Sequence, residues 1–489
     1  MNPLRFKAGY LPKMPGLSDQ ELAWHDLQFG TAARPLVVQV PLLTPVQMTA
    51  LADRVRQASR TQLKSFSVAD IVVLIDRTVA RLLDANNPHR QQLNNLLPQI
   101  TGLDADMVRI HLTNYLQTFR ALQLQRFVVE DFGNPQLLDA FQPRVSGGWS
   151  KALGADLVAH VWAGNVPGLP MWSLVSGLLV KAGSIGKVAS AEPVFASVLA
   201  RILVDVEPRL ADCLAVVWWP GSDAQQASPL FAQADAVLAY GGTTALSAIQ
   251  KQVPVTTRFL PHGHKLSFGM VSTAALSLRR AKATAAHAAL DVVRYEQQGC
   301  YSPHLFYVQY GAPTSPQEFA QALASELAAL AHKFPRRALS LEEARSVAAW
   351  RESQELAMLT DDMIQVMGDA AQPWAVVYSD IRTPLQPGPL NRSVLVVGVD
   401  TLEEVEGLVQ GQRDYLQTAG LAAAPEELLH LSECLARAGV TRICAIGSMT
   451  APAAGWHHDG RFSLLDLVRI VDLEASTEVA AAGFTTYEP

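Results

Sequence analysis

The chain is short of cysteine, of charge runs and of uninterrupted apolar sequence, and each shortage narrows what it can be. Four cysteines (Cys213, Cys300, Cys434 and Cys444) among 489 residues make no disulfide framework and form no CxxC pair, so a reducing compartment is expected. The 39 basic and 45 acidic residues are scattered, and a net charge of −6 without a Lys/Arg run gives no footprint for nucleic acid. The longest apolar run, residues 166–180, is 15 residues long and broken by Pro167 and Pro170, too short to span a bilayer. MNPLRFKAGYLPKMPG has basic residues but no apolar core, so no signal peptide is expected and a soluble, cytoplasmic protein is. GxGxxG is absent, so a bound dinucleotide would need another glycine turn.

What is present describes a folded enzyme-sized chain. Hydrophobic residues make up 49% and charged residues 17%, enough core for two or three domains. Strand-like PLVVQVPL (35–42) precedes helical spacing over Met48–Ala58, Val68–Leu83 and Met107–Leu124. Residues 126–153 read as an extended excursion. From 156 to about 290, short apolar strands alternate with helices, which means βαβ units and a parallel sheet covered on both faces. A second alternating region begins near 293 and ends in a helix near 463–470. A cleft between the two is the natural ligand site.

Cys300 lies in QQGCYSP, where Gly299 and Pro303 mark a tight loop before the strand HLFYVQY. A loop thiol can receive an acyl group from another thioester, and its thiolate is nucleophilic without a dedicated base; a buried, inert cysteine is the other reading. The other three cysteines lie in or beside apolar runs and read as inert. Asn165, in HVWAGNVPGLP, stands at the carboxyl end of a parallel strand, either capping a helix or donating to an oxyanion. Ser184-Ile185-Gly186-Lys187 is a Ser-x-x-Lys, the nucleophile motif of penicillin-recognising enzymes, but no Lys-Thr-Gly follows and the segment reads as a strand. Lys187 at its end could meet a nucleotide. Gly241, Gly242, Thr243 and Thr244 run from a strand into a helix, an ordinary capped turn or an anion cradle. His262-Gly263-His264-Lys265 and His457-His458 are the histidine clusters, and no third ligand at suitable spacing points to a metal.

In chain order, AGNVPGLP, SIGKVASAEP, AYGGTTAL, HGHKLSFG, QGCYSPHLFYV and GWHHDGRFSLLDLVRIVDLE resemble the acyl-CoA reductase (LuxC-like) branch of the aldehyde dehydrogenase superfamily over residues 160–474. The resemblance implies an α/β fold of the aldehyde dehydrogenase type. Its parts would be a helical segment at 1–125 that contributes to the nucleotide-binding domain, an oligomerisation arm at 126–153, a Rossmann-type nucleotide-binding domain at 154–292, a catalytic domain at 293–462, and a C-terminal helix and tail at 463–489. It makes Cys300 the acylated nucleophile and Asn165 the oxyanion donor, with Lys187 on the adenosine ribose and Gly241, Gly242, Thr243 and Thr244 near the pyrophosphate. His262 or His264 would move protons. The hydrolytic relatives carry a water-activating glutamate where this chain has Pro261, which favours reduction over hydrolysis. Ser190 stands where NAD-preferring relatives have a glutamate, so NADPH is the expected cofactor. The implied reaction is reduction of a long-chain fatty acyl-CoA or other acyl thioester to the aldehyde. The acyl donor would be CoA, a carrier protein or a fatty-acid-activating enzyme, and the assembly a homodimer or homotetramer. Oxidation of aldehydes is the alternative, with a Ser-x-x-Lys hydrolase behind it.

Overall fold

The computed structural model describes residues 3–221 and 223–484, which form four sheets. The strand expected at 35–42 is the middle of the first, a sheet of β1 (Leu4–Lys7), β2 (Ala23–Thr31) and β3 (Arg34–Leu42) in the order β1-β3-β2. Helices α1 (Pro45–Thr61) and α2 (Val68–Leu83) each open on a reciprocal cap, Thr44 with Gln47 and Ser67 with Asp70. Helix α3 (Pro88–Thr101) was not expected, although Asn87-Pro88 is a start signal and Leu93, Leu96, Leu97 and Ile100 make a buried stripe.

The helix expected over Met107–Leu124 breaks at residues 118–120 into α4 (Ala105–Gln117) and α5 (Ala121–Phe132). The excursion expected to be extended from residue 126 therefore begins as helix. Leu124, Phe127, Val128 and Asp131 are buried at i, i+3, i+4 and i+7, a helical period rather than an alternating one. Extended backbone is confined to β4 (Gln142–Pro143) and β5 (Trp149–Gly154).

The alternating region folds as expected into a five-stranded, wholly parallel sheet. Its strands are β6 (Leu157–Val161), β7 (Gly183–Lys187), β8 (Leu214–Val217), β9 (Ala236–Tyr240) and β10 (Arg258–His262), in the order β10-β9-β6-β7-β8. Helices α6 (Leu169–Leu179), α7 (Phe195–Val206), α8 (Ala224–Gln233) and α9 (Thr243–Gln250) connect them. Every residue of β6 and β9 is buried, as a sheet covered on both faces requires.

The second sheet holds β11 (Leu266–Val271), β12 (Pro303–Gln309), β13 (Ile364–Met367), β14 (Ala375–Ser379), β15 (Ser393–Val399), β16 (Leu416–Ala422) and β17 (Arg442–Ala445), in the order β13-β14-β15-β12-β11-β16-β17. Only β13 runs antiparallel to its neighbour. The boundary expected at 292/293 is thereby displaced, because β11 lies between β12 and β16 in the middle of this sheet. The chain crosses from one sheet to the other within residues 263–265, since LSFGMV reads as a buried strand whichever sheet receives it.

The helix expected near 463–470 is instead a short turn, Leu465–Leu467, followed by β18 (Val468–Leu473). The β-branched VRIV segment pairs antiparallel with β5 from Val468↔Gly154 to Leu473↔Trp149. A helix follows at Ala475–Ala482; of the tail expected there, residues 485–489 lie outside the described residues. No helix of the described residues is long and apolar enough to cross a membrane.

Trp162 continues β6 and lies across β7, and Gly186 is what admits it. A Cβ at 186 would be 1.7 Å from the indole ring. Overpacking of this kind costs about 1–3 kcal/mol. Gly186→Ala should therefore lower the urea midpoint of unfolding and change tryptophan fluorescence; an unchanged midpoint would contradict this packing.

Candidate active site

Cys300 is delivered by a loop held in an unusual backbone. Tyr295, Glu296 and Gln297 all have positive φ (52°, 54° and 61°), as do Leu390, Asn391 and Arg392 (61°, 55° and 67°). Each non-glycine residue in this region costs about 1–2 kcal/mol, so the two triplets must be fixed by strong contacts. They fix each other. The Glu296 carboxylate accepts from Arg392 Nε at 2.6 Å and Nη2 at 2.7 Å, with both side chains fully buried. Gln297 donates to the Ser393 carbonyl and accepts from the Ser393 N–H, and the Asn391 N–H donates to the Glu296 carbonyl.

A bulge completes the support. At Ser267 the register of β11 shifts against both of its neighbours. The freed hydroxyl donates to the Cys300 carbonyl at 2.8 Å and accepts from the Thr418 N–H at 3.1 Å. Cys300 is thus pinned at the amino end of the central strands, its side chain partly exposed to a cavity of about 270 Å³.

That cavity is lined from the carboxyl ends of β6, β9 and β10 and from the segments leading into β11 and β12. Asn165, Gly241, Gly242, His262, His264 and Cys300 all reach it, so the structure brings together residues far apart in sequence. Tyr115, Trp172, Tyr301 and Trp456 supply much of its apolar wall. Asn165 Nδ2 donates to the Gln298 carbonyl at 2.7 Å, which leaves the second N–H of that amide for a ligand. Tyr240 is buried, and its hydroxyl has no partner among the described residues.

Lys187, Ser190, Thr243 and Thr244 do not line this cavity; they lie along the same carboxyl edge of the parallel sheet. Burial lowers the Lys187 ammonium. Ser190 accepts from Trp218 Nε1 at 3.0 Å, and Trp218 stacks on His25 with ring centroids 4.6 Å apart. Helix α9 starts at Gly242 with no side-chain cap, so its first N–H groups are open to an anion. Ser184, by contrast, is fully buried within β7 beside His160 Nε2, away from the cavity, which removes the Ser-x-x-Lys reading.

The two histidine clusters form a stack. His262 lies 4.4 Å from His458 at an interplanar angle of 8°, and 4.8 Å from Tyr240. Asp459 Oδ2 accepts from His262 Nδ1 at 3.0 Å, and Oδ1 accepts from Gln417 Nε2 at 2.8 Å. Burial acts to raise the Asp459 carboxyl, but the His262 hydrogen bond and the neighbouring imidazoles outweigh it and hold it well below the usual carboxylate range. Burial pushes His458 down to about 3. The nitrogens and carboxylate of His262, His458 and Asp459 lie within 4.8 Å of one another. Asp459, however, already accepts from His262 Nδ1, which leaves that nitrogen no lone pair for an ion.

Burial, with the charge of Asp459 second, pushes the Cys300 thiol up to about 11, against opposing effects of Gln417 and Arg442. This shift runs against the expectation of a thiol that needs no base. That expectation was argued from the chemistry of sulfur in water, whereas this sulfur is desolvated beside a carboxylate. Pro261 is exposed on β10 and does not line the cavity. Asp459, Gln417 and Tyr240 escaped sequence reasoning. The only available signal was HHDG, and its carboxylate meets an imidazole 197 positions away.

A family model described as acyl-CoA reductase (LuxC) matches residues 63–470. The long-chain acyl-protein thioester reductase of Photorhabdus luminescens is 26% identical over 440 residues, covering 84% of this chain and 88% of that protein. The aldehyde dehydrogenase KauB of Pseudomonas aeruginosa superposes with a TM-score of 0.74 at 13% identity over 96% of both chains. An indole-3-acetaldehyde dehydrogenase in complex with NAD+ gives the same values. The fold is therefore that of the aldehyde dehydrogenases, as the resemblance implied.

Removing one partner of a buried ion pair costs about 3–5 kcal/mol, because the other charge is left unpaired. Arg392→Met should lower the thermal midpoint accordingly, and adding Glu296→Leu should recover most of the loss. A single variant as stable as the parent would show that the two loops are fixed by other contacts.

Proposed function

Because the chain belongs to the acyl-CoA reductase (LuxC) family, we propose that it reduces a fatty acyl thioester to the aldehyde, with the acyl group carried on Cys300 and NADPH as reductant. The observation that carries this reading is the position of Cys300. Its thiol opens on an aromatic-walled cavity that also holds Asn165 and adjoins an uncapped helix start at the carboxyl edge of a parallel sheet.

The residues suit each part of the substrate pair. An acyl chain packs against Trp172, Tyr115 and Tyr301, and this wall keeps water from the reacting carbon. The open amides of α9 at Gly242, Thr243 and Thr244 suit a pyrophosphate, with Gly241 allowing close approach. Lys187 and Ser190 hold the adenosine end, and Ser190 can hydrogen-bond a 2′-phosphate that a carboxylate would repel. When bound, the reduced nicotinamide supplies the hydride.

The Cys300 sulfur attacks the thioester carbonyl, and the bond to the leaving sulfur breaks. The free N–H of Asn165 and the Cys300 N–H stabilise the oxyanion, an effect worth roughly 3 kcal/mol. The same donors polarise the Cys300-bound acyl group for reduction, after which the carbon–sulfur bond breaks and aldehyde leaves. With Pro261 outside the cavity, no carboxylate at that position activates water, so reduction prevails over hydrolysis. The leaving group is the thiol of CoA, a carrier protein or an acyl-enzyme partner; the name of the Photorhabdus relative favours a protein-bound acyl group. The β4–β5–β18 sheet is the arm through which a homodimer or homotetramer would form.

Labelled acyl-CoA should mark the Cys300 peptide, and Cys300→Ala should lose both label and aldehyde. A Cys300→Ala protein that is still acylated and still makes aldehyde would sink the assignment. Ser190→Glu should lower kcat/KM for NADPH at least about tenfold, equivalent to about 1.4 kcal/mol of repulsion, and spare NADH. Equal losses with both cofactors would place the 2′-phosphate elsewhere.

A further inference from the structure

Cys300 opens on the cavity beside a carboxylate that disfavours its thiolate, so a group that takes the proton as sulfur attacks would speed the reaction. We infer that His262, oriented by Asp459, is the general base and acid for Cys300. The inference rests on the acyl-Cys300 reading and adds to it which histidine acts, which tautomer it adopts and what holds it.

Four histidines line the cavity, and their surroundings differ: Nδ1 of the buried His304 already accepts from the Gly388 N–H, and burial pushes His458 down to about 3. His264 is exposed and belongs to the loop between β10 and β11. His262 ends β10 and packs against the rings of both Tyr240 and His458, so its ring cannot swing away without breaking these contacts. Asp459 sets the tautomer. Its side chain is 9% exposed and already engaged at Oδ1 by Gln417, so Oδ2 takes the proton-bearing Nδ1 of His262. Nε2 of His262 is then the unprotonated nitrogen. Asp459 itself is held at φ 55°, a left-handed conformation that an aspartate adopts at some cost and that aims its carboxylate at this ring. Gln417 touches both ends of the arrangement, donating to Asp459 and acting on the Cys300 sulfur. Asp459 and Gln417 are positioning residues; His262 is the catalytic one.

The protons balance through both halves of the reaction. His262 Nε2 takes the thiol proton as the Cys300 sulfur bonds to the acyl carbon. The imidazolium returns it to the departing sulfur, which leaves as a thiol. After hydride from the nicotinamide reaches the acyl carbon, the carbon–sulfur bond breaks and aldehyde departs. The Cys300 thiolate recovers a proton from His262, recharged from solvent. One thioester, one reduced nicotinamide and one proton give one aldehyde, one thiol and one oxidised nicotinamide. Asp459 stays ionised and stabilises the imidazolium. The groups facing His262 are Tyr240 from β9, His458 and Asp459 from the turn after residue 457, and His264 and Lys265 from its own loop.

The test is the rate of Cys300 acylation by acyl-CoA without nucleotide, read by rapid quench and mass spectrometry across pH. His262→Gln should slow acylation by about 10²–10⁴-fold, the usual share of a general base. Its rate should climb with pH without levelling, as direct thiolate attack requires. His262→Gly should be restored in part by added imidazole, which a purely structural defect would not allow. Asp459→Asn should slow acylation while NADPH binding is unchanged. Acylation of His262→Gln at the parental rate and with the parental pH profile, while Cys300→Ala is inert, would overturn the dyad and leave the acyl-Cys300 reading intact. Acylation of Cys300→Ala would instead remove that reading itself. Loss of parental acylation on chelation, with recovery on adding zinc, would make the cluster a metal site and also overturn the inference.

Discussion

The geometry of the active loop depends on one ion pair. Glu296 and Arg392 are both fully buried and meet through two hydrogen bonds of 2.6 and 2.7 Å. An isolated charge in either place would be expelled, so neither loop can hold its shape without the other. The left-handed triplets around them are unfavourable singly and stable as a pair. Cys300 follows one triplet by three residues, and Leu390 of the other lines the same cavity. Cys300 is therefore placed by an ion pair that does not itself line the cavity.

Around that fixed point the cavity is assembled from ends of elements. The carboxyl ends of β6, β9 and β10 supply Asn165, Gly241 and His262, and the entry to β12 supplies Cys300. The bulge at Ser267 ties Cys300 to β16, which also carries Gln417. Side chains from two sheets thus share hydrogen bonds at the crossing. The imidazole of His262, one position after Pro261, meets a carboxylate supplied from the far end of the chain.

Much of this was legible in the sequence, and the misses share a cause. The strands of the five-stranded sheet could be read because they are buried on both faces and show as apolar runs. Cys300, Asn165 and the Gly241–Thr244 turn could be read because their motifs are local. Helix α5 was missed because VVED looks β-rich when its period is not counted. The place of β11 was missed because an apolar hexapeptide carries no information about which sheet takes it. Strand β18 was misread as helix because only its pairing with β5, over 300 positions earlier, decides its state. The role of Asp459 required knowing that residues 262 and 459 touch. Local chemistry is written locally; pairings across the chain are written only in the fold.

The desolvated thiol has a consequence outside the reaction. Peroxide attacks thiolates, not thiols, and thiolate fraction governs the first step of cysteine oxidation to sulfenic acid. Burial and the Asp459 carboxylate favour the thiol form of Cys300, the form less open to oxidants. In the proposed reaction the sulfur would be open to that chemistry only in the moment of proton transfer, when an acyl group occupies the space a peroxide would need.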